Sequence, residues 1–147
     1  MGRSGQTICR SGCLISSVAM ALNDCGRTIN GQIANPRSLN TFLGANGGYS
    51  GASLVWATVN RLGLTFEGFT TSKTEMVNKF KAGRAVMLNV NNRAHWVLMT
   101  GWTGTNFLVN DPGYNRNSYA PSEVQDSGYY IRPAGCRTLH QSHSFLE

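Results

Sequence analysis

The segment from Cys13 to Cys25, Cys-Leu-Ile-Ser-Ser-Val-Ala-Met-Ala-Leu-Asn-Asp-Cys, constrains the fold more than any other stretch of this chain. Leu14, Val18, Ala21, Leu22 and Cys25 recur at helical spacing, and Gly26 supplies a stop. A helix that is apolar on most sides cannot sit on a surface, so this one is expected at the centre of the domain. The Gly/Ser/Arg-rich residues 1–12 read as an extended entry, which places Cys13 at the first turn of that helix.

Three further helices are expected. Asn35 caps one, with Pro36 at its first position, running through Leu43. Another extends from about Ala52 to Leu62 and stops at Gly63. Ser72-Lys73-Thr74-Glu75 has capping-box spacing and opens the last, which Gly83 ends. Strand patterns then take over. Ala85–Val90 is a short apolar run, and Trp96–Trp102 and Asn106–Val109 flank Thr103-Gly104-Thr105, a hairpin tip. Tyr129–Arg132 is one more strand. Helices first and antiparallel strands second define an α+β domain.

At 147 residues the chain has room for one domain, here 1–133, followed by a polar tail, 134–147, expected to be loosely ordered. Charged residues are only 14% of the chain and no apolar run nears bilayer length, so disorder and membrane insertion are not expected. The first residues lack the apolar stretch of a secretory signal, and location is left open. The net charge of +6 comes from scattered cations with no tract or basic helix face. Nucleic acid is therefore not an expected partner, and the charge points weakly to an anionic setting such as a cell wall. A monomer without cofactor is expected.

Chemistry concentrates on three positions. Cys13 at a helix start would face unpaired backbone N–H groups and the positive end of the helix dipole, which favour a thiolate. A lone buried cysteine is more often a core residue, so Cys13 alone decides nothing. His95 lies at the mouth of a strongly apolar strand, where a histidine is either a surface residue or a working base. Asp111 closes the next strand, just before Pro112, which cannot pair in a ladder. If Thr103–Thr105 is the tip, Trp102 pairs with Asn106, and His95 falls within a residue or two of Asp111. Asp111 could then accept from His95 Nδ1 and leave Nε2 facing the thiol. Asn110 is the rival orienter, and strand alternation allows only one of the two to serve.

A Cys on a helix, a His on a strand and an Asp or Asn on the following strand form the order a papain-like site requires. The Cys–His separation of 82 residues is well short of the ~130 of papain and fits a compact version of that fold. Gly12-Cys13-Leu14-Ile15-Ser16-Ser17-Val18-Ala19-Met20, Asn35-Pro36 with Leu39-Asn40, Ala94-His95-Trp96-Val97-Leu98 and Val109-Asn110-Asp111-Pro112 resemble the bacteriocin-processing peptidase-like branch of the papain-like cysteine peptidases. The resemblance spans roughly residues 8–115. It implies a Cys13-His95-Asp111 hydrolase cleaving small-residue peptide bonds in polypeptides, or a relative acting on peptidoglycan peptides. It further implies a Gln about six residues before the Cys that helps form the oxyanion hole. Here Gln6 stands seven before, with Thr7 at the usual spacing; without Gln6, the hole would rest on the Cys13 and Leu14 backbone N–H groups.

Other readings stay open at this point. The same triad could serve acyl transfer or deamidation, or the fold could be an inactive binding module. A zinc site built from Cys9, Cys13, His140 and His143 is disfavoured by the close spacing of the two histidines, and no metal is expected. Cys9, Cys25 and Cys136 can form at most one bridge, and spacing does not say which. Trp56, Trp96, Trp102, Tyr49 and Tyr114 belong either to a groove or to the core.

Overall fold

The chain is described here by a computed structural model covering residues 5–51 and 53–137, the first seven of these by their backbone alone. The central helix, α1, runs Gly5–Asp24. No proline stops it from extending back through residues 5–12, so the expected extended entry is corrected to helix. Cys13 therefore lies more than two turns inside α1, not at its start. At the other end Gly26 adopts the left-handed conformation (φ 66°), and the Arg27 N–H returns to the Leu22 carbonyl at 3.0 Å.

Strands β1 (Thr28–Ile29) and β2 (Gln32–Ile33) form a small hairpin around Asn30-Gly31, both at positive φ, the chemistry of a tight two-residue turn. Helix α2 (Pro36–Ala45) has the expected cap: the Asn35 side chain accepts from Ser38 N–H at 2.8 Å and the Ser38 hydroxyl accepts from Asn35 N–H at 3.1 Å. A second small hairpin, β3 (Tyr49–Ser50) and β4 (Ser53–Leu54), follows. The helix expected from about Ala52 is shorter and tighter, a 3₁₀ helix over Trp56–Leu62, stopped by Gly63 at φ 113°. Strand β5 (Thr65–Thr70) precedes α3 (Lys73–Lys81), whose Ser72 cap accepts from Glu75 N–H.

The remaining strands are β6 (Ala85–Val90), β7 (His95–Trp102), β8 (Phe107–Asn110), β9 (Ser118–Tyr119) and β10 (Val124–Ile131). With β5 they form one six-stranded antiparallel sheet in the order β5-β10-β6-β7-β8-β9. One face packs on α1 through Leu14, Ile15, Val18 and Leu22 against Met87, Leu98 and Tyr130. The other carries Met76 and Val77 of α3 against Val86, Leu88, Val97 and Met99. Covering on both faces explains why β6 reads as an unbroken apolar run: each of its residues is buried.

Strand β10 begins at Val124, ahead of the expected Tyr129, and lies inside the sheet with Gly128 in its course. A Cβ there would sit 2.5 Å from Trp56 Cζ3, so only glycine lets the indole lie on this strand. Trp56 then centres an aromatic cluster with Phe66, Phe69, Trp96 and Tyr130. A disulfide joins Cys25, just past α1, to Cys136. Arg137 adds a backbone bond to the Asp24 carbonyl at 2.8 Å and an ion pair with its carboxylate at 2.9 Å. The expected loose tail is thus fastened through residue 137, and residues 138–147 lie outside the described residues.

Candidate active site

The β7–β8 hairpin brings His95 and Asp111 together, by a route that differs from the expected one. Its tip is one residue longer, because the Thr103 hydroxyl accepts from both Thr105 and Asn106 N–H, and Trp102 pairs with Phe107. A bulge between Met99 and Gly101 then restores the offset, so that Leu98 pairs with Asn110. The two departures cancel before the strand ends. Alternation puts Phe107 and Val109 on the face they share with Val97 and Met99. Carried one residue further, it gives that side to Asp111 and denies it to Asn110.

His95 Nε2 lies 2.5 Å from Asp111 Oδ1 and donates to it, and both side chains are essentially sealed from solvent. This reverses the expected use of the ring. Nε2 is the far corner of the imidazole and reaches the neighbouring strand's acid, whereas Nδ1, nearer the backbone, is turned elsewhere. Nδ1 is buried and makes no hydrogen bond among the described residues. Its surroundings are marked by Gly113: a Cβ on that residue would lie 2.7 Å from His95 Cε1, 3.5 Å from His95 Nδ1 and 3.4 Å from Cys13 Sγ. Thiol and imidazole edge therefore face one small space, which stays open because Gly113 has no side chain. An alanine there would collide with a ring that has no freedom to withdraw.

Asp111 is held from several directions. Its Oδ1 also accepts from Gly113 N–H at 2.9 Å and Tyr114 N–H at 3.0 Å. Its Oδ2 accepts from the Tyr119 hydroxyl at 2.5 Å. Burial, together with the hydrogen bond to Asp111 and the charge of that carboxylate, raises the Tyr119 phenol far above its ordinary range, so Tyr119 stays a donor. The Arg116 guanidinium covers the Tyr119 ring at 3.9 Å and is itself clamped by both Glu123 oxygens at 3.1 Å. Tyr114 stands edge-on to His95, ring centroids 4.7 Å apart.

The approach to His95 is a left-handed turn: Asn91, Asn92 and Arg93 have φ of 54°, 56° and 69°. Asparagine tolerates that conformation and arginine does not favour it. Gln125 accepts from the Arg93 N–H at 3.2 Å and Asp126 pairs with its guanidinium at 3.2 Å, so β10 holds the turn that delivers the histidine.

Cys13 is 8% exposed and lies outside the disulfide. One turn on, the buried Ser17 hydroxyl faces the Cys13 carbonyl at 3.0 Å and the Trp96 carbonyl at 3.4 Å, which sets α1 against the start of β7. Inside a helix the N–H groups of Cys13 and Leu14 belong to the helical ladder. They are corrected as oxyanion donors, and the positive end of the helix dipole is too far from Cys13 to favour its thiolate. The side chains of Gln6 and of Cys9, a ligand of the zinc alternative, are not described, and His140 and His143 lie outside the described residues. Among the described residues no three His, Cys, Asp or Glu side chains group to hold a metal, and no helix is long and apolar enough to cross a membrane.

Of the aromatic candidates, Trp56 and Trp96 join the core cluster and Trp102 packs on Phe107. Tyr49 donates to Asn40 at 2.5 Å. Only Tyr114 meets the site. Sequence reasoning missed Tyr119, Gly113 and Ser17. The turn signal Asp111-Pro112-Gly113 was legible, but nothing local ties Tyr119 to Asp111, since the intervening loop sets that contact.

The α+β architecture and the site define a domain compatible with a peptidase. The match to the Peptidase_C39 like family over residues 3–132 then fixes the relationship: the chain belongs to that family, a family of peptidases consistent with the bacteriocin-processing branch its motifs resemble. No curated protein matches the chain.

Proposed function

We propose that this protein is a papain-like cysteine peptidase that hydrolyses amide bonds in polypeptides or cell-wall peptides. The observation that carries the reading is the shared space between Cys13 Sγ and the Nδ1–Cε1 edge of His95, with Nε2 donating to Asp111. His95 Nδ1 takes the thiol proton, and the Cys13 thiolate attacks the carbonyl carbon. The negative oxygen is held by Gln6, seven residues and close to two helical turns ahead of Cys13. The protonated Nδ1 gives its proton to the leaving nitrogen, the C–N bond breaks, and a thioester remains. Nδ1 then takes a proton from water, whose hydroxide displaces Cys13. Asp111 keeps the ring aligned through Nε2–H and stabilises the imidazolium. The Cys25–Cys136 bridge favours an oxidising compartment.

The test is Cys13→Ala assayed on a peptide library and on purified peptidoglycan, with mass spectrometry of the products. Turnover should vanish while stability stays within ~1 kcal/mol, and iodoacetamide should alkylate wild-type Cys13 in step with loss of activity. Retained activity in Cys13→Ala would sink the assignment.

A further inference from the structure

A cleft of about 510 Å³ opens beside Asp111, walled by the end of β8 and the loop to β9, a volume within the usual range of ligand sites. Asn110, Asp111, Tyr114, Asn115, Arg116 and Asn117 line it. Its two charged groups are already matched within the protein. Asp111 accepts four hydrogen bonds, and Arg116 is paired with Glu123. The amides of Asn115 and Asn117 differ: neither makes a side-chain hydrogen bond among the described residues, so each keeps two donors and one acceptor for a ligand in the cleft. Tyr114 is 52% exposed and touches His95 edge-on, which sets the cleft beside the candidate site.

On the hydrolase reading above, on which this inference rests, His95 protonates the leaving nitrogen, so the departing half of the substrate lies on the His95 side. That is the side of the cleft. We propose that the cleft binds the leaving half of the substrate and selects an uncharged segment rich in amide and hydroxyl groups. Unengaged amides recognise such groups directly, and a site whose charges are satisfied internally offers nothing to a charged residue while leaving it partly desolvated.

The probes are tripeptide amides with a free amino terminus: Ser-Asn-Gly-amide, Leu-Val-Phe-amide, Glu-Ser-Glu-amide and Lys-Ser-Lys-amide. Binding to Cys13→Ala is followed by NMR. In wild type, their competition with water for the acyl-enzyme is followed by mass spectrometry. The neutral polar peptide should bind and capture at least about tenfold better than the others, with shifts centred on residues 110–118. An Asn115→Ala/Asn117→Ala variant should bring that preference within about twofold. Asn115→Asp/Asn117→Asp, which keeps size and solubility, should turn it toward Lys-Ser-Lys-amide. No preference in wild type, an unchanged preference in both variants, or shifts elsewhere would overturn the cleft's role. Binding at residues 110–118 with no acyl-enzyme on any substrate would instead bring down the hydrolase reading, and the leaving-side assignment with it.

Discussion

The two arms of the candidate site are held in different ways. His95 and Asp111 stand on neighbouring sheet strands inside a closed set of hydrogen bonds, with Tyr119, two backbone N–H groups and the Arg116–Glu123 clamp behind them. Cys13 stands on a helix placed by packing, with the Ser17 hydroxyl as its polar link to β7. A base must point one nitrogen at its partner, and directional bonds supply that. A thiol at the end of a short side chain needs only the right helix position, and packing supplies it. The sheet arm should therefore respond to loss of a single hydrogen bond far more than the helix arm does.

Asp111→Asn should show the largest difference. An amide cannot accept from His95, two backbone N–H groups and Tyr119 without turning its NH₂ toward at least one donor. Turnover should fall on the order of 10²–10⁴-fold, with stability lower by roughly 1–3 kcal/mol. Single-turnover kinetics and urea unfolding would check both. A fall in turnover under tenfold would mean the acid does not orient the base.

Tyr119→Phe removes one donor and keeps the ring under Arg116. Its effect should be near tenfold on kcat with little change in KM, and the pH profile of kcat should move, which a purely structural loss would not do. Ser17→Ala probes the helix arm. It should cost about 1 kcal/mol of stability and change kcat less than about threefold; a larger kinetic effect than Tyr119→Phe would reverse the comparison.

The smallest effect concerns two surface carboxylates, Glu67 and the Glu123 of the clamp behind the sheet arm. Glu67 is held below its ordinary value near 4.5 by its hydrogen bonds to Arg84, with Lys79 adding to it. Glu123 is lowered by Arg116. Carboxylates lowered in the folded state bind protons less tightly there than in the unfolded chain. Their contribution is present above pH ~4.5 and is lost as pH falls through the folded value. Urea midpoints between pH 7 and pH 3 should decline below that point, and Glu67→Gln with Glu123→Gln should flatten the decline.

The contrast between arms also explains what could be read in advance. Period-two patterning and the Thr103–Thr105 turn were enough to bring His95 and Asp111 together, even though the longer tip and the bulge were unseen, because their offsets cancel. Alternation allowed only one of Asp111 and Asn110 to serve, and Pro112, by ending the strand, favoured Asp111. The ring nitrogen was misassigned because it depends on where the neighbouring acid stands relative to the imidazole, a tertiary matter. The start of α1 was misread because Gly and Ser weaken a helix without forbidding it. Strand β5 was not expected, and β10 was expected only from Tyr129 onward, because Gly128 is a breaker in isolation and a seat for Trp56 in the fold.

The bond between Cys25 and Cys136, 111 residues apart, makes most of the molecule a covalent ring. His95, Asp111 and Tyr119 lie inside it and Cys13 lies on a branch outside it, attached where the ring closes. A closed loop of about 100 residues restricts the unfolded chain by roughly 4.7 kcal/mol in the chain-entropy model. Reducing agents would thus act on this protein in opposite senses, protecting the sulfur of the branch while cutting the ring that restrains the rest. Activity measured against reductant concentration should rise, pass through an optimum and fall, with the fall accompanied by a lower unfolding temperature.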